Sequence, residues 1–336
     1  MDYVIKRESL PDFLKSMSKG FRVFVSAKND SGATCFQEYS SQNLFLAQKT
    51  TFSPKLLFRP FKEKIFSFRK KASSYNVEAV FDSEKRLIFG IRPCDCHALN
   101  TLDELFIRYY GDDRFYSARR ENTVLIALQC TEECENGFCS SMGTSKAVGH
   151  DLLFIPRGQD FFVRPETERG KSLLDLKFFK NTKDAEPSCR ISCKKHLETK
   201  NLAKNIYNAF NHQVWEEESE RCLSCSSCTQ ICPTCYCYIT DDEFEFCSEK
   251  ESARYRILDS CQLKRFTRVA GNHVFRASRK ARLRQFVLHK LSYYKESHGM
   301  QLCVGCGRCI DVCPAKIDLT FIANRIQQKA GAGNGL

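Results

Sequence analysis

The runs Cys222-Leu-Ser-Cys225-Ser-Ser-Cys228-Thr-Gln-Ile-Cys232-Pro233 and Cys303-Val-Gly-Cys306-Gly-Arg-Cys309-Ile-Asp-Val-Cys313-Pro314 share one spacing, C-x2-C-x2-C-x3-C-P, without a gap. Three cysteines set two residues apart wrap a tight loop. Their thiolates and backbone N–H groups then converge on one face of an iron–sulfur cubane, while the fourth cysteine points away and completes the other cluster. Proline directly after it suits a first helical position, where no N–H is needed. The spacing assigns one [4Fe–4S] cluster to Cys222, Cys225, Cys228 and Cys313, and a second to Cys303, Cys306, Cys309 and Cys232. Paired C-x2-C units also build tetrahedral zinc sites, but two complete runs with both prolines argue for iron. Clusters ligated fully by thiolate move single electrons and do not bind substrate.

A looser group precedes them. Ile91-Arg92-Pro93-Cys94-Asp95-Cys96-His97-Ala98 follows the apolar run Leu87–Ile91, and Cys130-Thr-Glu-Glu-Cys134-Glu-Asn-Gly-Phe-Cys139 follows Thr123–Leu128. Both runs read as strands, and neighbouring parallel strands bring their C-terminal ends together, the usual site position in open α/β sheets. Cys94, Cys130, Cys134 and Cys139 would then form a third four-thiolate site, expected to hold a third Fe–S cluster, with Cys96 as a substitute ligand. A zinc site or a group of buried thiols is the alternative. His97 is expected to be structural. Cys235, Cys237 and Cys261 lie outside this scheme and are expected to pack against a cluster. Cys189 and Cys193, with His196, stand at helical spacing on one face and read as a buried thiol pair beside a histidine, with a zinc site as the alternative. Cys35 and Cys247, each alone in sequence, read as scattered thiols.

Those elements belong to an α+β fold in two parts. Residues 1–210 read as an N-terminal α/β domain carrying the third site. Residues 211–336 read as a mostly helical, ferredoxin-like 4Fe-4S dicluster domain, with about seventy residues between its two runs. Strands are expected over Phe21–Ala27, Leu87–Ile91 and Thr123–Leu128, and a hairpin over Leu152–Ile155 and Asp160–Arg164 around Gly158. Helices are expected over Ala98–Tyr110, Ser188–Phe210 and Asp318–Lys329. The doublets Phe161-Phe162 and Phe178-Phe179 read as core or subunit contact.

Composition narrows the class. Twenty cysteines in 336 residues would suggest a disulfide framework only in a short secreted chain. The start, Met1-Asp2-Tyr3-Val4, opens no signal peptide, and the apolar runs are strand-sized, so a cytoplasmic protein without a membrane span is expected. Net charge is +12, and Gln262–Lys290 holds nine Lys or Arg and no acidic residue. A basic stretch can track nucleic-acid phosphates, but no recognised nucleic-acid motif is present. Docking to an acidic partner and compensation of cluster charge account for it instead.

The chain resembles the iron–sulfur electron-transfer subunits related to the sulfhydrogenase β subunit and to their counterpart in anaerobic sulfite reductase. The resemblance is carried by Ile91-Arg92-Pro93-Cys94-Asp95, Phe138-Cys139-Ser140-Ser141-Met142-Gly143-Thr144, Trp215 seven residues before Cys222, Cys232-Pro233-Thr234-Cys235-Tyr236-Cys237, Asp259-Ser260-Cys261, Val269–Arg276 and His289-Lys290. It implies a non-catalytic subunit between a flavin- and NAD(P)H-binding subunit and a catalytic redox subunit. The alternative is a chain that itself reduces a sulfur compound at its N-terminal cysteines. No G-x-G-x-x-G follows a strand and no Walker pattern occurs, so no nicotinamide site of its own is expected. Two departures stand out. Gly137 replaces a cysteine common in that family, and Asn272 replaces a glycine, a turn position that Asn tolerates.

Overall fold

The computed structural model describes residues 1–41, 44–46, 49–71, 74–109, 111–244 and 251–332. Strands β1 (Asp2–Lys6), β2 (Arg22–Lys28), β3 (Thr34–Glu38), β4 (Lys62–Lys71), β5 (Ser74–Ala79) and β6 (Arg86–Ile91) come first. They are followed by β7 (Thr123–Leu128), β8 (Leu152–Arg157), β9 (Asp160–Pro165), β10 (Lys180–Thr182), β11 (Tyr238–Phe244) and β12 (Glu251–Leu258). Eight of them form one sheet in the order β10-β1-β9-β8-β7-β6-β2-β3. Its centre, β2, β6, β7 and β8, is parallel. β6 and β7 are buried at every residue, as strands covered on both faces must be. Leu87, Phe89, Val124 and Ile126 enter one core with Phe13 and Phe154. Ile88, Leu125 and Ala127 enter the other with Leu99, Leu102 and Tyr116.

Register breaks between Phe89 and Ile91, where Gly90 has φ +87°. This bulge turns Ile91 into the second core and aims the chain into Arg92-Pro93-Cys94. The three expected strands all form. The helix after β6 begins earlier than expected, running Pro93–Asp103 with proline in its first turn, then continuing as a π turn over Glu104–Tyr109. Tyr110 lies outside the described residues. The expected hairpin is β8–β9, paired antiparallel. Phe161, Phe162 and Phe179 are core residues.

The expected Ser188–Phe210 helix does not form as one element. Only Leu202–Asn208 is helical, and Asn201 just before it sits at φ +53°. A left-handed residue interrupts a right-handed helix, and residues 183–199 run as an irregular strap. The final helix forms as Leu319–Ala332.

A second, antiparallel sheet has the order β11-β12-β4-β5, drawing strands from both sides of residue 210. The helices Val214–Arg221, Arg279–Leu288 and Leu319–Ala332 contribute a third core around Trp215, Phe286, Val287 and Ile322. Cys222, Cys228, Cys303 and Cys309 pack against it. Among the described residues no helix is long and apolar enough to cross a membrane.

Candidate metal centre

The two cysteine runs are conformational copies of one another. Ser224 and Gly305, each two residues after the first cysteine, have φ +49° and +65°; Ser226 and Gly307 have φ +68° and +73°. These left-handed residues turn backbone N–H groups inward. Ser224 N–H donates to Cys222 Sγ at 3.5 Å, and Gly305 N–H donates to Cys303 Sγ at 3.5 Å. A short helix follows in each run, Ser227–Ile231 and Arg308–Asp311.

Cys222, Cys225 and Cys228 line one apolar cavity together with Cys313 of the opposite run, walled by Leu283, Phe286, Ile317 and Ile322. Cys313 Sγ also accepts from Ile317 N–H at 3.2 Å. Cys232 of the first run stands electrostatically against Cys303, Cys306 and Cys309. Cys313 of one run therefore shares a cavity with the first three cysteines of the other, a cavity that Cys309 also lines. Burial drives the Cys303 thiol up to about 12 and pushes Cys228 and Cys309 up as well. Thiols gathered in so apolar a setting give up their protons to a metal, whose charge offsets the desolvation.

Cations are built in beneath the second quartet. Lys290, 2% exposed, donates to Thr234 Oγ1 at 2.9 Å, and Thr234 Oγ1 lies 3.4 Å from Cys232 Sγ. Burial works against its ammonium, yet Cys232 and Cys235 hold its pKa above the ordinary value. Lys55 donates to the Cys232 carbonyl at 2.8 Å, and Lys49 donates to the Cys306 carbonyl at 2.6 Å while pairing with Asp311 at 2.8 Å. Cys237 is lowered to about 7 by a hydrogen bond from Cys261, which itself neighbours Cys228. Cys235 packs against the third core beside Cys232.

The third site lies directly against the second run. Cys94, Cys130, Cys134 and Cys139 line one cavity with Lys49, Thr144, Gly305 and Cys306. Phe138 N–H donates to the Gly305 carbonyl at 2.7 Å, and Thr144 Oγ1 donates to the Val304 carbonyl at 2.7 Å. The approach requires glycine. A Cβ on Gly305 would meet Phe138 O at 2.7 Å, and one on Gly307 would meet Asn136 O at 2.0 Å. A bidentate ion pair, Arg308 on Asp95 at 2.7 and 2.8 Å with both side chains 1% exposed, bolts the same surfaces together.

Cys96 does not reach the cavity. Two residues beyond Cys94 on the same helix, it faces the core with Leu99 and Leu102. His97 Nε2 bonds the Lys146 carbonyl at 3.0 Å. Cys189 and Cys193 share no helix face: Cys189 packs on the second core, whereas Cys193 Sγ comes within 3.6 Å of Cys139 Sγ. Cys35 is half-buried at the sheet edge, and Cys247 lies outside the described residues. Among the described residues, no group of three or more His, Cys, Asp or Glu is arranged to hold a single metal ion.

The basic stretch is largely spent internally. Arg279 donates to the Cys222 carbonyl at 3.1 Å and Arg282 to Ser224 Oγ at 3.1 Å. Lys280 pairs with Glu216 at 2.7 Å, Arg265 with Asp259 at 3.0 Å, and Arg284 donates to the Phe210 carbonyl at 3.0 Å.

Comparison with known proteins agrees with this geometry. The family described as "4Fe-4S dicluster domain" matches residues 221–317, spanning both runs. The chain is 30% identical over 342 residues to sulfhydrogenase 2 subunit beta of Pyrococcus furiosus, covering 98% of this chain and 99% of that protein. It belongs to the sulfhydrogenase β-subunit family. This β-family chain is also 27% identical over 225 residues to F420-dependent formate dehydrogenase subunit beta of Methanocaldococcus jannaschii, across 60% of the chain and half of that protein. No solved structure matches it. The sulfhydrogenase β family is one of iron–sulfur electron-transfer subunits, with two [4Fe–4S] clusters in its dicluster domain.

Three features of this β-family chain went unread in the sequence. Lys49 and Lys55 come from a segment with no chemical motif, and only the tertiary fold sets them under the runs. Cys193 was visible as a cysteine but was placed on a helix that does not form.

Proposed function

We propose that the chain relays single electrons across three [4Fe–4S] centres between a flavin- and NAD(P)H-binding subunit and a catalytic redox subunit. The setting would be a cytoplasmic, anaerobic oxidoreductase complex of the hydrogenase or sulfite-reductase kind. The observation that carries this reading is the crossing of Cys313 into the cavity of Cys222, Cys225 and Cys228. Interlocked quartets keep two centres within one short span of protein.

Cys222, Cys225, Cys228 and Cys313 would hold one cluster, and Cys303, Cys306, Cys309 and Cys232 the other. Two complete C-x2-C-x2-C-x3-C-P runs support a cubane over zinc, whose sites are built from paired C-x2-C units. Bound in these sites, a cluster gains and loses one electron at a time. The protein's part is to exclude water with Leu283, Phe286, Ile317 and Ile322 and to offset negative charge with Lys290, Lys55 and Lys49. The third site adjoins the Cys303 run, while Cys225 of the other run is exposed, which favours a linear order: third site, Cys303 run, Cys222 run.

Iron and acid-labile sulfide counts on anaerobically purified protein test this. The relay requires about eight to twelve irons per chain, about twelve with the third site filled, and co-purification from the native host should bring down a flavoprotein. Zinc in place of iron would end the proposal. A second reading has one observation in its favour. A groove of about 390 Å³ opens beside Cys130 and Cys134, lined also by Arg7 and Arg92, a place where a small sulfur anion could be reduced. Polysulfide or sulfite reduction by the isolated chain with an artificial donor would favour that reading; no turnover would favour the relay.

A further inference from the structure

We infer that Cys193, rather than Cys94, is the fourth thiolate of the third centre, beside Cys130, Cys134 and Cys139. The inference rests on the proposal that this site holds an iron–sulfur cluster.

The loop from Cys130 to Cys139 supplies three thiols, one short of a quartet. Two candidates stand near. Cys94 is buried in the first turn of the Pro93–Asp103 helix, and its neighbours are Ala98, Val304 and Cys306. It lines the same cavity as Cys130, Cys134 and Cys139, and Asp95, Arg308, Cys306 and Cys130 all bear on it. Cys193 is not in that lining but lies beside Cys139, with the sulfurs 3.6 Å apart. Among the charges bearing on the Cys139 thiol, that of Cys193 comes ahead of those of Cys130 and Cys134.

The strap carrying Cys193 is fastened to the short Cys139–Met142 helix by that helix's own serines. Cys193 N–H donates to Ser140 Oγ at 3.3 Å and Leu197 N–H to Ser141 Oγ at 3.1 Å. Ser141 Oγ also lies 3.2 Å from His196 Nδ1. Farther along, Lys194 pairs with Glu133 at 3.4 Å and Lys195 with Asp318 at 2.6 Å. So many ties on an irregular segment fix one thing above all, the place of Cys193. A spacing of 3.6 Å is tighter than a cubane sets between its thiolates. The assignment therefore requires a change of χ1 rotamer at half-exposed Cys193 when the centre is bound. Cys94 is then left between the third centre and Cys306, as part of the wall the electron crosses.

The test compares anaerobically purified full-length wild type, Cys193→Ser and Cys94→Ser by iron count and by EPR of the reduced protein. Wild type should hold about twelve irons, Cys193→Ser about eight with one signal lost, and Cys94→Ser about twelve. Cys193→Ser at twelve irons overturns the inference, whether or not a potential has moved, and so does loss of the centre in Cys94→Ser with retention in Cys193→Ser. Wild type at eight irons sinks the underlying third-cluster reading instead. Should the variants fold poorly, alkylation of wild type by iodoacetamide decides. Cys193 and Cys189 are comparably exposed, so Cys193 should resist labelling while Cys189 reacts, and should become reactive once a chelator removes iron. Equal labelling of the two before iron removal contradicts the assignment.

Discussion

Lys290 places a full positive charge in a dry interior, a few ångströms from the sulfurs of Cys232 and Cys235. A buried unit charge at about 7 Å with an effective dielectric of about 20 is worth ~2 kcal/mol. For a one-electron couple that is on the order of 100 mV. The charge favours the electron-rich state, so Lys290→Met should lower the midpoint potential of the Cys303-run cluster by roughly that amount, while Lys290→Arg holds most of it. EPR-monitored redox titration measures this directly, and an unchanged potential would assign Lys290 to packing. Arg308 and Asp95 make a different kind of buried charge. Both Asp95 carboxylate oxygens accept from Arg308, whose Nε donates to the Thr50 carbonyl at 2.7 Å. Removing one partner strands the other, at a cost of about 3–5 kcal/mol. Asp95→Asn should therefore lower the denaturation midpoint sharply, and Arg308→Met at least as much. A shift under about 1 kcal/mol would mean the pair is hydrated.

At the scale of elements, the two cysteine runs share a backbone but differ in what touches it. Gly305 and Gly307 lie under the carbonyls of Phe138 and Asn136, whereas Ser224 and Ser226 hold the same left-handed turns with side chains. Gly307→Ser, which copies the first run into the second, should pry the Asn136–Cys139 loop away and release the third site's iron first. Ser226→Gly should be neutral or stabilising by up to ~1 kcal/mol, since it relieves a left-handed residue. Iron counting on both variants checks the contrast. Asp151 ties the β7 and β8 strands at their heads, accepting from Leu125 N–H at 2.8 Å and from Arg169 at 3.0 Å. Burial raises its pKa, but these bonds outweigh burial and hold it below the ordinary carboxylate value. Its stabilising contribution is full above the unfolded value of about 3.9 and is lost as pH falls through the folded pKa. The gap in urea midpoint between wild type and Asp151→Asn should stay constant from pH 7 to about pH 4 and narrow only below that.

The central strands were legible because β6 and β7 are apolar runs, and the hairpin because Gly158 parts two short apolar segments. The strap was not. Cys189, Cys193 and His196 mimic a helix face, yet the backbone there is held by bonds to Ser140 and Ser141, partners some fifty residues away that no periodicity reveals. The eight cysteines of the two runs announced themselves by spacing alone. Lys49 and Lys55 became readable only once the fold had carried them across the molecule to Cys306 and Cys232.

For the whole molecule, these contacts describe one continuous path. The third site abuts the Cys303 run through Phe138, Thr144 and Lys49, Cys313 shares a cavity with Cys222, Cys225 and Cys228, and Cys225 reaches the surface. The most direct test is whether Cys313 serves the cluster of the run it belongs to or that of the other. In anaerobic, reduced protein, Cys313→Ser should perturb the EPR signal that Cys222→Ser perturbs and leave intact the one that Cys303→Ser removes. A Cys313→Ser variant that instead altered the Cys303 signal, with the Cys222 signal untouched, would contradict the interlocked centres.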